Sequence, residues 1–148
     1  MATKPIKILL VEDDPGDVVL TREELEEAPF RSDLSVVEDG VEAMAFLRRE
    51  GKYRKAPRPD VVLLDLNLPR KSGREVLAEI RQTPDLRDIP VIVLTASQAA
   101  RDMLKAHNLQ ATFINKPVMA DELWNVLRAP GDFFATATKP PRRGKARA

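Results

Sequence analysis

Five short apolar runs punctuate the chain, and each is followed by a longer stretch whose apolar residues recur at helical spacing. "IKILLV" precedes "DVVLTREELEEA", "DLSVV" precedes "GVEAMAFLRREG", and "DVVLLD" precedes "GREVLAEIRQ"; "IPVIVLT" precedes "AARDMLKAH", and "ATFIN" precedes "ADELWNVLRA". Continuous apolar runs rich in branched residues fit strands buried on both faces, and helix-length connections between them fit crossovers. The pattern predicts an α/β fold, a doubly wound sandwich with a five-stranded parallel sheet and helices on both faces.

Local signals sharpen the boundaries. Asp14, Pro15 and Gly16 stop the first run and favour a helix start, with Asp17 placed to complement the helix amino terminus. In that helix Val18, Leu25 and Ala28 form the expected apolar stripe, while Arg22, Glu23, Glu26 and Glu27 face water. Val76, Leu77 and Ile80 repeat the spacing in the third helix, and Pro57, Pro59 and Pro69 bracket the third strand.

A length of 148 residues suits one domain. The chain is 43% hydrophobic but only 5% aromatic, so its core is expected to be aliphatic. The absence of cysteine excludes disulfides, thiolate metal sites and cysteine nucleophiles. Acids follow the first apolar run at once, which argues against a signal peptide or a membrane span, and a cytoplasmic location is expected. Residues 139–148, "KPPRRGKARA", hold five of the 24 Lys and Arg residues and no acid; the remaining 19 face 23 acids, so the body carries a net charge of about −4. The expected division is one domain over 1–138, including a C-terminal extension, and a basic flexible tail over 139–148. That tail reads as solubilising, and nucleic acid is not the expected partner.

Parallel strands end on one edge of the sheet, where ligands of open α/β folds bind. Glu12 and Asp13 follow the first apolar run, and Asp65 ends the third. If these strands are neighbours three carboxylates converge, and a hard divalent cation with oxygen ligands would offset their repulsion. The fourth run ends at Thr95 and the fifth at Asn115, followed by Lys116 and Pro117. A carboxylate flanked by a hydroxyl and an ammonium suits a group rich in anionic oxygens, and phosphoryl is the natural candidate.

With "LLVEDDP", "LLDLNLP…SG", "VIVLTAS" and "FINKP" in this order, the sequence from about Lys7 to Leu127 resembles the receiver domain of two-component response regulators. "VEDDPGD" and "DLNLPRKSGREVL" narrow the resemblance to small stand-alone receivers associated with bacterial phytochrome histidine kinases. The resemblance implies a strand order of 2-1-3-4-5. It implies phosphoryl transfer from a histidine kinase to Asp65, with Glu12, Asp13, Asp65 and the backbone carbonyl of Asn67 around magnesium, or manganese as a substitute ion. Thr95 would hydrogen-bond a phosphoryl oxygen, Lys116 would pair with the modified carboxylate, and backbone N–H groups near Asn67 and Ala96 would cradle the other oxygens. Thr95 and Phe113 would form the switch; Phe113 lacks the hydroxyl of the usual tyrosine, so its coupling would depend on packing. A cis peptide before Pro117 is also implied. Such a protein catalyses its own phosphorylation and dephosphorylation without a separate metabolic activity.

Output through altered protein contacts is the leading expectation, with a phosphate relay or sink beside it. A magnesium-dependent aspartyl phosphomonoesterase is the alternative of another class, although it would place an acid where Asn67 stands. A flavin carrier shares the topology, but "EDDPGD" is too acidic to cradle a phosphate. Phe133 and Phe134 leave two options open, packing back on the domain or forming a homodimer surface. Asp14 reads as a helix cap, Trp124 as a core or interface residue, and His107 as exposed or capping.

Overall fold

A computed structural model describes residues 4–109 and 111–128; the segment with Phe133 and Phe134 and the basic tail lie outside the described residues. β1 (Ile6–Val11), β2 (Ser32–Val37), β3 (Val61–Asp65), β4 (Val91–Leu94) and β5 (Thr112–Ile114) form one parallel sheet in the order β2-β1-β3-β4-β5. The helices are α1 (Pro15–Glu26), α2 (Gly40–Arg48), α3 (Gly73–Gln82), α4 (Gln98–Ala106) and α5 (Ala120–Leu127). The order makes β1 and β3 neighbours, with Val11 opposite Leu64 and Asp65 opposite Leu94, so the chain exits β1, β3 and β4 side by side on one edge.

Alternation along the strands divides the core in two. Leu9, Val11, Val62, Leu64 and Val93 point to the side covered by Met44, Leu77, Ile80 and Leu104. Ile8, Leu10, Val61, Leu63 and Ile92 point to the other, against Leu25, Leu123 and Leu127. Because both faces are covered, every residue of β3 and β4 is buried, which is why those strands read as unbroken apolar runs.

Four of the five helices begin at a capping side chain. Asp14 accepts hydrogen bonds from the N–H groups of Gly16 and Asp17, so α1 starts at Pro15, two residues before its apolar pattern. Asp39 caps α2, Ser97 caps α4, and Ser72 with Glu75 forms a reciprocal capping box on α3. α5 has no local side-chain cap; instead the Ala120 N–H donates to Glu24 of α1 at 2.8 Å. α2 stops at Arg48, earlier than its pattern suggests, because Arg49 turns left-handed at φ 58°. Trp124 on α5 is half-buried, stacking on Phe30 with ring centroids 5.1 Å apart at the margin of the second core cluster.

Candidate functional site

The carboxyl edge of the sheet collects acids that lie far apart in the sequence, at the ends of β1 and β3. Glu12 leaves β1 with only 2% of its side chain exposed, and Asp65 closes β3 with 8%. Asp13 is exposed beside them, and one oxygen from each of Glu12, Asp13 and Asp65 lies within 4.8 Å of the others. Lys116 reaches in from the end of β5, and its peptide to Pro117 is cis. Its ammonium lies 2.9 Å from Glu12 Oε1, 2.7 Å from Asp17 Oδ2 and 3.2 Å from Asp65 Oδ2.

One ammonium therefore faces three carboxylates, and the titration behaviour reflects the imbalance. Burial first, then the facing Asp65, pushes the Glu12 carboxyl up to about 7, against the pull of Lys116 and the Asp14 N–H. For Lys116, burial alone would lower the ammonium, but hydrogen bonds to Asp17 and Glu12 and the field of Asp65 outweigh it and raise the value. A buried acid held near neutrality beside a second carboxylate is a site short of positive charge. The three-carboxylate set is all oxygen, hard and crowded, and fits a divalent cation.

Asp65 presents its two oxygens to different donors. Oδ2 faces Lys116, while Oδ1 accepts the Asn67 N–H at 3.1 Å. Thr95 is buried at the end of β4, its N–H bonded to the Ile114 carbonyl and its hydroxyl accepting the Ser97 N–H at 3.0 Å. Ala96 follows it in the exposed β4–α4 loop. The sequence-predicted Glu12, Asp13, Asp65, Asn67, Thr95, Ala96 and Lys116 thus all lie in chain segments at this edge. Phe113 is set back within β5, half-buried.

Two residues escaped the sequence reading. Asp17 was assigned only to the helix terminus, yet it makes the shortest of the three Lys116 contacts. Arg101 of α4 lies 5.2 Å over the Phe113 ring and donates to the Asn115 side chain and, at 3.4 Å, to the Thr95 carbonyl. Nothing in a lone arginine on a helix signals such a bridge. Asp14 and His107 act as caps, as expected, at α1 and α4.

Among the described residues no helix is long and apolar enough to cross a membrane. The sequence profile described as the response regulator receiver domain matches residues 8–128. The response regulator Rcp1 of Synechocystis sp. is 43% identical over 138 residues, covering 92% of this chain and 94% of Rcp1. The crystal structure of Rcp1 in its Mn2+-bound form superposes with a TM-score of 0.71 at 41% identity, over 93% of this chain and 99% of that one. The phosphorylated cyanobacterial phytochrome response regulator RcpA gives a TM-score of 0.73 at 41% identity over the same shares. The bacteriophytochrome response regulator RtBRR gives 0.79 at 39% identity, over 94% of this chain and 86% of its own.

Proposed function

The chain belongs to the response regulator receiver domain family, a phosphoryl acceptor that binds a divalent metal and works with histidine kinases, and from that premise we propose that Asp65 accepts the phosphoryl group. The observation that carries the assignment is the division of the Asp65 carboxylate: Lys116 Nζ stands 3.2 Å from one oxygen and the Asn67 N–H 3.1 Å from the other, at the edge where Glu12 and Asp13 gather. Buried Glu12 meets a comparable pair of donors, Lys116 at 2.9 Å and the Asp14 N–H at 3.3 Å; what sets Asp65 apart is its place at the end of β3, ahead of the loop that carries Asn67.

An oxygen of Asp65 attacks the phosphorus of a phosphohistidine in line with the departing imidazole nitrogen. Lys116 remains with the modified carboxylate and neutralises charge on it, and the Thr95 hydroxyl turns from the Ser97 N–H to donate to a phosphoryl oxygen. The N–H groups of Asn67 and Ala96 supply further donors. Glu12, Asp13, Asp65 and the Asn67 carbonyl would hold magnesium, which supplies Lewis-acid neutralisation of the transferring group. The Asn67 side chain, exposed beside Asp65, lies where it would influence attack of water on the acyl phosphate.

The similarity to Rcp1, RcpA and RtBRR supports a light-sensing phytochrome kinase as the donor, a cytoplasmic setting, and output through altered protein contacts. Incubation with Mg2+ and a small phosphoryl donor, followed by intact-mass and peptide analysis, tests the assignment. The added mass is expected on the peptide containing Asp65 and is expected to vanish in Asp65→Asn. Modification confined to another residue would overturn it.

A further inference from the structure

The loop that leaves Asp65 is held in an unusual way at its tip. Arg70 lies in the left-handed region at φ 66°, a conformation that disfavours a side chain of its size. From there its guanidinium forks onto Asp39, with Nε 3.0 Å from Oδ2 and Nη2 3.3 Å from Oδ1, and Nη2 lies 3.7 Å from Glu42 Oε2. Asp39 is the cap of α2, its Oδ1 also taking the Glu42 N–H at 2.8 Å, so one carboxylate serves the helix and the loop together.

The loop is packed closely on the C-terminal side of Arg70. A Cβ on Gly40 would stand 2.1 Å from the Lys71 carbonyl oxygen, so the loop lies directly on the first residue of α2. Lys71 pairs with Glu79 on α3, and the Gly73 N–H closes the loop onto the Leu66 carbonyl at 3.1 Å. The fork is not required for stability, since Arg70 keeps 55% of its side chain in water and exposed ion pairs contribute little. A left-handed arginine that stabilises the fold so weakly calls for another role. Between its two anchors the loop carries Asn67, whose N–H meets Asp65 and whose carbonyl belongs to the proposed metal site.

We propose that Arg70 is a positioning residue for phosphoryl transfer: its fork onto Asp39 fixes the Asp65–Ser72 loop so that the Asn67 backbone presents its N–H to Asp65 and its carbonyl to the metal. The proposal rests on Asp65 being the acceptor. Loss of the fork leaves the chemical groups present and the fold intact, but lets the loop spread over orientations of which only a fraction are productive.

The test compares wild type with Arg70→Gly, Arg70→Ala, Arg70→Lys and Asp39→Asn, measuring melting temperature, Mg2+ affinity by calorimetry, and the Mg2+ dependence of Asp65 modification by a small phosphoryl donor. Glycine relieves the left-handed backbone and asparagine still caps α2, so these two variants retain the fold. Arg70→Gly, Arg70→Ala and Asp39→Asn are expected to melt close to wild type, yet to weaken Mg2+ binding and slow modification by about tenfold. Arg70→Lys, which keeps charge but not the planar fork, should fall between. Lys52→Ala serves as control, because Lys52 meets the same Glu42 at 3.3 Å from outside the loop, and should behave as wild type. Metal binding and modification within twofold of wild type in Arg70→Gly and Arg70→Ala would overturn the proposal. Absence of modification at Asp65 in wild type would instead remove the reading beneath it.

Discussion

Lys116→Met removes the ammonium that Glu12, Asp17 and Asp65 share at 2.9, 2.7 and 3.2 Å, while keeping much of the apolar stem. Stripping one partner from a buried ion pair costs roughly 3–5 kcal/mol. Here 27% of the lysine side chain stays in water, and discounting for that screening gives about 2 kcal/mol. In a chain of this size that loss lowers the melting temperature by roughly 4–8 °C. These figures apply near pH 8 with a chelator present. Glu12 sets the pH dependence. Its folded value of about 7 lies above the ordinary 4.5, so its share of stability is fully present below 4.5 and is lost as pH rises through 7. Lys116 pulls Glu12 downward; without it that window moves to higher pH, and a proton takes the place of the ammonium. The variant should therefore be closer to wild type near pH 6 than near pH 8. Mg2+ should restore more stability to the variant than to wild type, because it meets charge left without a partner. Urea and thermal unfolding at both pH values, with chelator and then with Mg2+, measure all three effects. Equal stability of the two proteins near pH 8, or a deficit that does not shrink near pH 6, would refute the account.

Two further residues, Tyr53 and Gly40, test the neighbouring structure. Tyr53 is the chain's single tyrosine; burial first, then its hydrogen bond to Glu42, pushes its phenol up to about 12, so absorbance titration should show no phenolate step near 10, and stability held below 10 should fall as pH rises through 12. Tyr53→Phe should cost about 1 kcal/mol at neutral pH, since the lost hydrogen bond is partly exposed. Gly40→Ala should destabilise by about 2 kcal/mol in denaturant unfolding, because overpacking of this size must displace backbone; the added Cβ would stand 2.1 Å from the Lys71 carbonyl oxygen, and an unchanged midpoint would show that the loop yields freely.

By itself the sequence determined the elements and the chemistry they bring to one edge. Strand burial is written in unbroken runs such as "VVLL", and the start of α1 is written in Asp14, because these signals act within a few residues of the backbone they serve; the caps Asp39, Ser72 and Ser97 emerge only with the structure. Strand ends then place Glu12, Asp13, Asp65, Thr95 and Lys116 on a common edge, and the order β2-β1-β3-β4-β5 agrees with the resemblance to receivers. Local pattern was less reliable where a single backbone angle decides, as at Arg49, whose left-handed turn ends α2 early. Only the tertiary structure decided which charged side chains meet. Asp17 turns toward Lys116, Arg70 forks onto Asp39, and Arg101 covers Phe113 while holding Asn115. Each of these residues, taken alone, reads as an ordinary solvated charge. Their partners stand far away in sequence, and the meeting depends on strand register and on the direction in which each loop leaves the sheet, neither of which is encoded in the spacing around the residue itself.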